Sequence, residues 1–258
     1  PFESGKKRIT EYSNAQQIWR NFKFDVSNSQ IFYRLDGLYF GNIIFDGAIF
    51  YGTADFESSY FLEDIIFSFV RFEKDVNFKN STFGGKLRFG HPNESLESVN
   101  FKGSTFNKSA YFEALSILGE ANFESSHFHG DTRFNLPFNG DARFENAHFS
   151  GFIHFGMSYF LGGANFEKAK FMNDAYFLAS SFNKYANFKD AEFVHKAPVF
   201  TRYSSSDGIK YAAQFSSSAP PENYNFEVSE KENFHSIETE ELYDKGKKFI
   251  IPKGCTLY

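Results

Sequence analysis

Phenylalanine recurs along this chain at alternating intervals of five and six residues. From Ala142 the sequence reads ARFENAHFSGF, IHFGMSYFLGG, ANFEKAKFMND, AYFLASSFNKY, ANFKDAEFVHK, rows of eleven with Phe at the third and eighth positions. The same register runs upstream through ADFESSYFLED, IIFSFVRFEKD and VNFKNSTFGGK from Ala54. An eleven-residue period can mark a right-handed coiled coil, but this spacing rejects one. At 3.6 residues per turn a step of five turns the helix by ~140° and scatters the rings around it. A small or aliphatic residue sits two positions before most of these Phe, as at Ala54, Ser59, Val76, Ser104, Ala142, Ala164, Ser180 and Ala191. In a strand, positions i−2 and i share one face and i−1 points away, so each unit reads as a very short strand followed by a corner. Gly52, Gly84, Gly103, Gly130, Gly151, Gly162 and Asn173 fall between the Phe residues and suit left-handed turn positions.

Four units make one coil of about 22 residues, and coils that stack can pair their backbones. Four interior columns follow. The first holds Leu35, Phe56, Phe78, Phe101, Phe123, Phe144, Phe166 and Phe188, and the second runs from Phe40 to Phe193. The third runs from Phe45 to Phe177 and ends on Val199; the fourth takes Phe50, Phe72, Leu96, Ile117, Phe138, Phe160 and Phe182. These columns absorb 27 of the 38 Phe, so the aromatic bias is mostly a statement about the interior. Two intervals depart from eleven. Phe89 to Phe101 is twelve, which predicts a bulge near residues 91–94, and Phe134 to Phe144 is ten, which predicts a tightened corner beside Pro137.

Aromatic residues make up 21% of the chain, which excludes a disordered chain. A single cysteine, Cys255, excludes an internal disulfide. No apolar run is long enough for a transmembrane helix. The net charge of −5 offers no electrostatic reason to expect nucleic-acid binding.

The alternating units ANFES-SHFHGD, ANFEK-AKFMND and ANFKD-AEFVHK resemble the pentapeptide-repeat superfamily in its Phe-centred branch, over about residues 33–200. The resemblance implies an all-β, right-handed quadrilateral β-helix solenoid, here of about 7–8 coils. It also implies a bacterial source and no single function, because members include proteins without known activity, DNA mimics that bind topoisomerase, and modules fused to enzymes or membrane proteins. Fold alone does not license a function.

Three segments are expected: a cap over 1–31, the solenoid over 32–200, and a C-terminal cap or the start of a further domain over 201–258. In the first, Ser13 and Gln16 form a capping-box pattern, and Ile18, Trp19 and Phe22 would share one side of a short helix over the first coil. In the last, AAQF at 212–215 reads as a further inward unit. Glu238–Glu241 before Lys245–Lys248 suggests a short polar helix, and KFIIPKG a strand ended by Pro252 and Gly254. A start at Pro1 and an apolar TLY end read as a piece of a longer or processed chain.

No nucleophile elbow, phosphate loop or paired CxxC motif occurs, so no catalytic residue, metal site or cofactor is assigned. The register stacks His127 and His148 outward on adjacent coils, continued by Lys170 and Glu192, without a third ligand. His154 stacks over Arg133 on another face, which would repel a second cation, and reads as a solvated face. Asn77, Asn100 and Asn122, then Asn165 and Asn187 with Arg143 between, form amide columns. Tyr39, Tyr60, Tyr111, Tyr159 and Tyr176 also point outward, and exposed Tyr is enriched at interfaces. Tyr159, Tyr176, His127 and His148 are the candidate interaction residues; Phe56, Phe78, Phe123, Phe144, Phe166 and Phe188 are structural core.

These readings converge on a non-enzymatic structural or protein-interaction module. The expected partner is another protein, with an end-to-end or side-by-side homo-oligomer also open; a cytoplasmic location is favoured and secretion is not excluded. A topoisomerase-binding DNA mimic would need a strongly negative stripe. Residues 32–200 hold 15 basic and 20 acidic residues, a net of −5 spread over the whole rod. An accessory domain of a larger enzyme or membrane protein is the other alternative. An ice-binding face would need a flat column of Thr, which the scattered Thr do not supply.

Overall fold

The computed structural model describes residues 23–258 except 91–93, 114, 205, 207 and 232–233. The chain winds as about eight stacked coils, and nearly every strand is only two or three residues long. Such short strands persist because each pairs in parallel with the coils below and above. The first sheet stacks eight strands from Ala54–Asp55 to Tyr224–Asn225, and the second eight from Tyr39–Phe40 to Glu192–Phe193. The third stacks six from Ile65–Ile66 to Ala175–Tyr176. The fourth is divided into three strands ending at Arg71–Phe72 and seven from Glu94–Leu96 to Thr256–Leu257. The division falls in the coil with the twelve-residue interval; the bulge expected there lies mainly on residues 91–93, outside those described. The expected N-terminal helix over 9–22 likewise lies outside the described residues.

The predicted columns form the core. Phe56, Phe78, Phe101, Phe123, Phe144, Phe166 and Phe188 are fully buried. Their rings stack along the rod at 4.9, 4.9, 5.2, 5.1, 5.0 and 4.8 Å between centroids. Across the rod they meet the third column edge-on, as in Phe123–Phe134 at 5.0 Å and 75°. Both arrangements suit the aromatic quadrupole. The small i−2 residues fill the space beside the rings, and Ser in that slot adds a bond between coils. Ser81, Ser104 and Ser126 donate to the carbonyls of Phe56, Phe78 and Phe101 one coil below, at 2.6, 2.6 and 2.7 Å.

The corners differ from expectation. After the first and third columns the chain turns through a residue at positive φ, but that residue is mostly not glycine: Ser58, Asn80, Ser125, Asn146, Lys168 and Asp190 follow the first column, and Phe69, Met157 and Ala179 the third. A bond such as Ser81 N–H to the Phe78 carbonyl (3.0 Å) closes each turn, and with φ > 0 at the third residue the turn is of type II. Of the glycines and asparagine expected there, only Gly103 has positive φ. Gly84, Gly130, Gly151 and Gly162 instead meet the adjacent coil so closely that a Cβ would lie 2.8, 2.5, 2.6 and 2.2 Å from its backbone. Their role is close approach between coils.

Two further expectations are corrected near the C-terminus. The third column ends on Phe200, whose ring stacks 4.9 Å from Phe177, while Val199 is only half-buried and bridges to Tyr176 in the outward position. Over 238–248 there is no helix: Thr239–Asp244 and Lys247–Pro252 pair antiparallel. Lys245 and Gly246, at φ 48° and 76°, form the two-residue hairpin turn. Phe249 and Ile251, alternating along the second strand, are fully buried, and this period of two decides the hairpin. Gln214–Phe215 extends the fourth sheet as an inward unit, as read from the sequence. Thr256–Leu257 adds the strand above it. Among the described residues the helical content is a single 3-10 turn, Pro221–Asn223.

Two substitutions separate the two kinds of corner. Ala179→Gly, at φ 54°, is expected to raise unfolding free energy by roughly 0.5–1 kcal/mol, since relief of left-handed strain outweighs the added chain entropy. Gly162→Ala is expected to lower it by about 1–3 kcal/mol through overpacking. Urea titration of both variants measures the two signs. In the same assay Phe123→Ala, at the centre of the core, is expected to cost about 3–5 kcal/mol.

Candidate interaction surface

The i−1 and i+1 positions of every strand point outward, so each face carries ladders with one residue per rung. The first face is polar and internally paired. Asn187 Nδ2 donates to Asn165 Oδ1 (2.9 Å), and Asn165 Nδ2 to Glu145 Oε1 (2.9 Å). Arg143, replacing an Asn in this column, bonds Glu124 and Glu145, both at 3.1 Å. The amide columns read from the sequence are therefore present, with carboxylates woven in.

The second face pairs like with like on three pairs of rungs, Tyr39 on Tyr60, Thr82 on Thr105 and His127 on His148, and ends on an ion pair, Lys170 with Glu192. The Tyr39 and Tyr60 rings stack at 4.9 Å. The two imidazoles are 5.8 Å apart and edge-on. Burial, then the nearby His127, Lys170 and His129, holds His148 below its usual pKa. Among the described residues, no group of three or more His, Cys, Asp or Glu is arranged to hold a metal ion.

The third face carries Tyr176, but within a longer column than the sequence reading assembled. Arg88, Tyr111, Arg133, His154 and Tyr176 occupy successive rungs. The Arg88 guanidinium lies 5.4 Å from the Tyr111 ring centre, and Lys196 Nζ 5.5 Å from that of Tyr176. Such contacts are favourable through the ring quadrupole. Asp174 orients the upper end: it accepts from Tyr176 Oη (2.8 Å) and pairs with Lys196 (2.7 Å). Burial opposes its ionisation, yet these contacts hold its carboxyl below the usual range. His154 Nδ1 accepts the Gly156 N–H at 3.0 Å, and burial followed by Arg133 lowers its pKa, so it stands neutral near pH 7. The i−1 register was sufficient to find this column; the stacking of two cations hid it.

The fourth face carries Tyr159. From Ser116 upward the positions flanking its inward residues are Ser116, Leu118, Pro137, Asn139, Tyr159, Leu161, Ser181, Asn183, Gln214, Ser216, Thr256 and Tyr258, without a charged side chain, Ser181 and Ser216 being buried. Leu118 and Tyr159 are 52% and 51% exposed, with Met157 at the adjoining corner. The candidate residues thus fall on three faces: His127 with His148, Tyr176 on the next, and Tyr159 beyond it. Cys255 is buried and its thiol is pushed up to about 12, which removes it as a nucleophile.

No family model, curated protein or solved structure matches the chain. No helix among the described residues is long and apolar enough to cross a membrane.

The two shifted histidines set a pH dependence. Each has a folded-state pKa below its unfolded value of 6.5. The unfolded chain therefore binds more protons, and stability present above pH 6.5 is lost as pH falls through the folded values. The melting temperature is expected to drop between pH 7.5 and 5.5, and less steeply in His148→Gln/His154→Gln, as followed by circular dichroism.

Proposed function

We propose that the chain is a non-catalytic interaction module, a bacterial protein of the pentapeptide-repeat kind, and that its partner is another protein. The uncharged fourth face carries this reading. The first and third faces mix both signs of charge, often paired between rungs, and the uncharged lower part of the second carries mostly Thr, Gly, Asn and His; this face exposes Leu118, Tyr159, Leu161 and Tyr258 over several coils without a charged side chain among them. Loss of charge with retention of aromatic and aliphatic groups is the signature of an interface centre. Strands held between neighbours on both sides make the face rigid, so docking costs little ordering of the backbone. The interior supports a non-catalytic role, since Phe, Ala and Ser fill it along the rod.

Tyr159→Arg places a charge at the centre of the face, on a side chain already outside the core. Chemical crosslinking in the source cells, read by mass spectrometry, is expected to join wild-type chain to a defined protein through residues flanking Tyr159. The variant, with unchanged melting temperature, is expected to lose that product. Crosslinks that survive the substitution, or that map to other faces, discard this face as the docking surface.

A further inference from the structure

We propose that the third face binds a linear acidic polysaccharide carrying one carboxylate per disaccharide, a ligand distinct from the protein partner assigned to the fourth face. Cations occur there on alternate rungs. Arg88 stands on the first, Arg133 on the third, and Lys196 lies over Tyr176 on the fifth. The intervening rungs present rings, Tyr111 and the neutral imidazole of His154. Two rungs span about 9.6 Å at the ~4.8 Å strand spacing, close to the length of two pyranose units in an extended glycan. A chain lying along the rod would set a carboxylate beside each cation and its pyranose units against the rings between.

The face is prepared for such a chain. Glu113 lies 3.6 Å from Arg133, and Asp174 holds Lys196, so both cations have fixed positions, each against one carboxylate, with further N–H donors of the guanidinium and ammonium left over. Among the described residues Arg88 has no carboxylate partner; its guanidinium is steadied by the Tyr111 ring. With His154 Nδ1 occupied by the Gly156 N–H, its Nε2–H is left as a hydrogen-bond donor. At the lower end, Phe69, Arg88, Tyr111 and Glu113 enclose a shallow cavity of about 200 Å³, with room for one sugar ring. Phe69, 59% exposed, forms its wall. The sparse spacing of charge favours an acidic glycan over a nucleic acid, whose phosphates are denser than one charge per two rungs.

The test is calorimetric titration of the chain with a hyaluronan hexasaccharide, which has one carboxylate per disaccharide, beside cellohexaose and a thymidine hexanucleotide. Hyaluronan is expected to bind, more weakly with added salt, while the other two bind at least tenfold more weakly. Arg88→Gln/Arg133→Gln is expected to lose at least tenfold in affinity with its melting temperature unchanged. Arg71→Gln, on the fourth face, is expected to bind as wild type. Absence of hyaluronan binding at millimolar concentration overturns the proposal. So does equal binding of cellohexaose or of the oligonucleotide, or affinity that survives the double substitution. Because the Tyr159→Arg variant leaves the third face intact, it should bind hyaluronan normally, and the two readings fail independently.

Discussion

Every coil of this protein hydrogen-bonds to the next at one strand spacing, so each layer of the interior must be filled within that height. A benzene ring lying along the strand direction nearly does so. Stacked centroids stay between 4.8 and 5.2 Å through the first column from Phe56 to Phe188. The backbone ladder and the ring ladder thus share one repeat distance, and neither is strained to match the other. This coincidence lets strands of two residues exist, since an isolated pair of that length has no stability of its own. It also explains the narrow choice at i−2, where a larger side chain would compete with the ring for the same layer.

The columns were legible because Phe, spaced five and six apart, has one geometry that buries all of it. The outward ladders were legible too, since the register that turns Phe128 and Phe149 inward turns His127 and His148 outward. The corners were not. Left-handed turns usually announce themselves through Gly, yet Lys168, Ala179 and Asp190 hold them here, because neighbouring coils constrain the turn from both sides and tolerate the local cost. The glycines that were visible answer to a different need, the contact of one corner with the next, which no local pattern reveals. Glu238–Glu241 and Lys245–Lys248 imitate the charge pairing of a helix, while the deciding signal lay in the alternation of Phe249 and Ile251. For the third face, Tyr176 was singled out but its column was not, since adjacent cations at Arg133 and His154 suggested repulsion. Burial keeps the histidine neutral and removes that objection.

The four faces divide the work between them. The first ties its polar groups to one another, the second sets like beside like as far as His148, the third alternates charge with rings, and the fourth has no charge over its upper coils. The last two carry the contacts proposed above, which would place two ligands on adjoining sides of one rod, each on a separate column.

Stacked glycine corners carry a consequence for how such a chain can change. Gly119, Gly140 and Gly162 succeed one another along a single edge, each pressed on its predecessor. An edge assembled from near-identical contacts accepts another whole coil wherever one already sits. Gain or loss of about 22 residues would lengthen or shorten every face by one rung and leave the remaining rungs in register. Insertion of a few residues would instead turn the interior columns toward solvent. Variation by complete turns makes the molecule a ruler, with the extent of each binding column set by the number of turns.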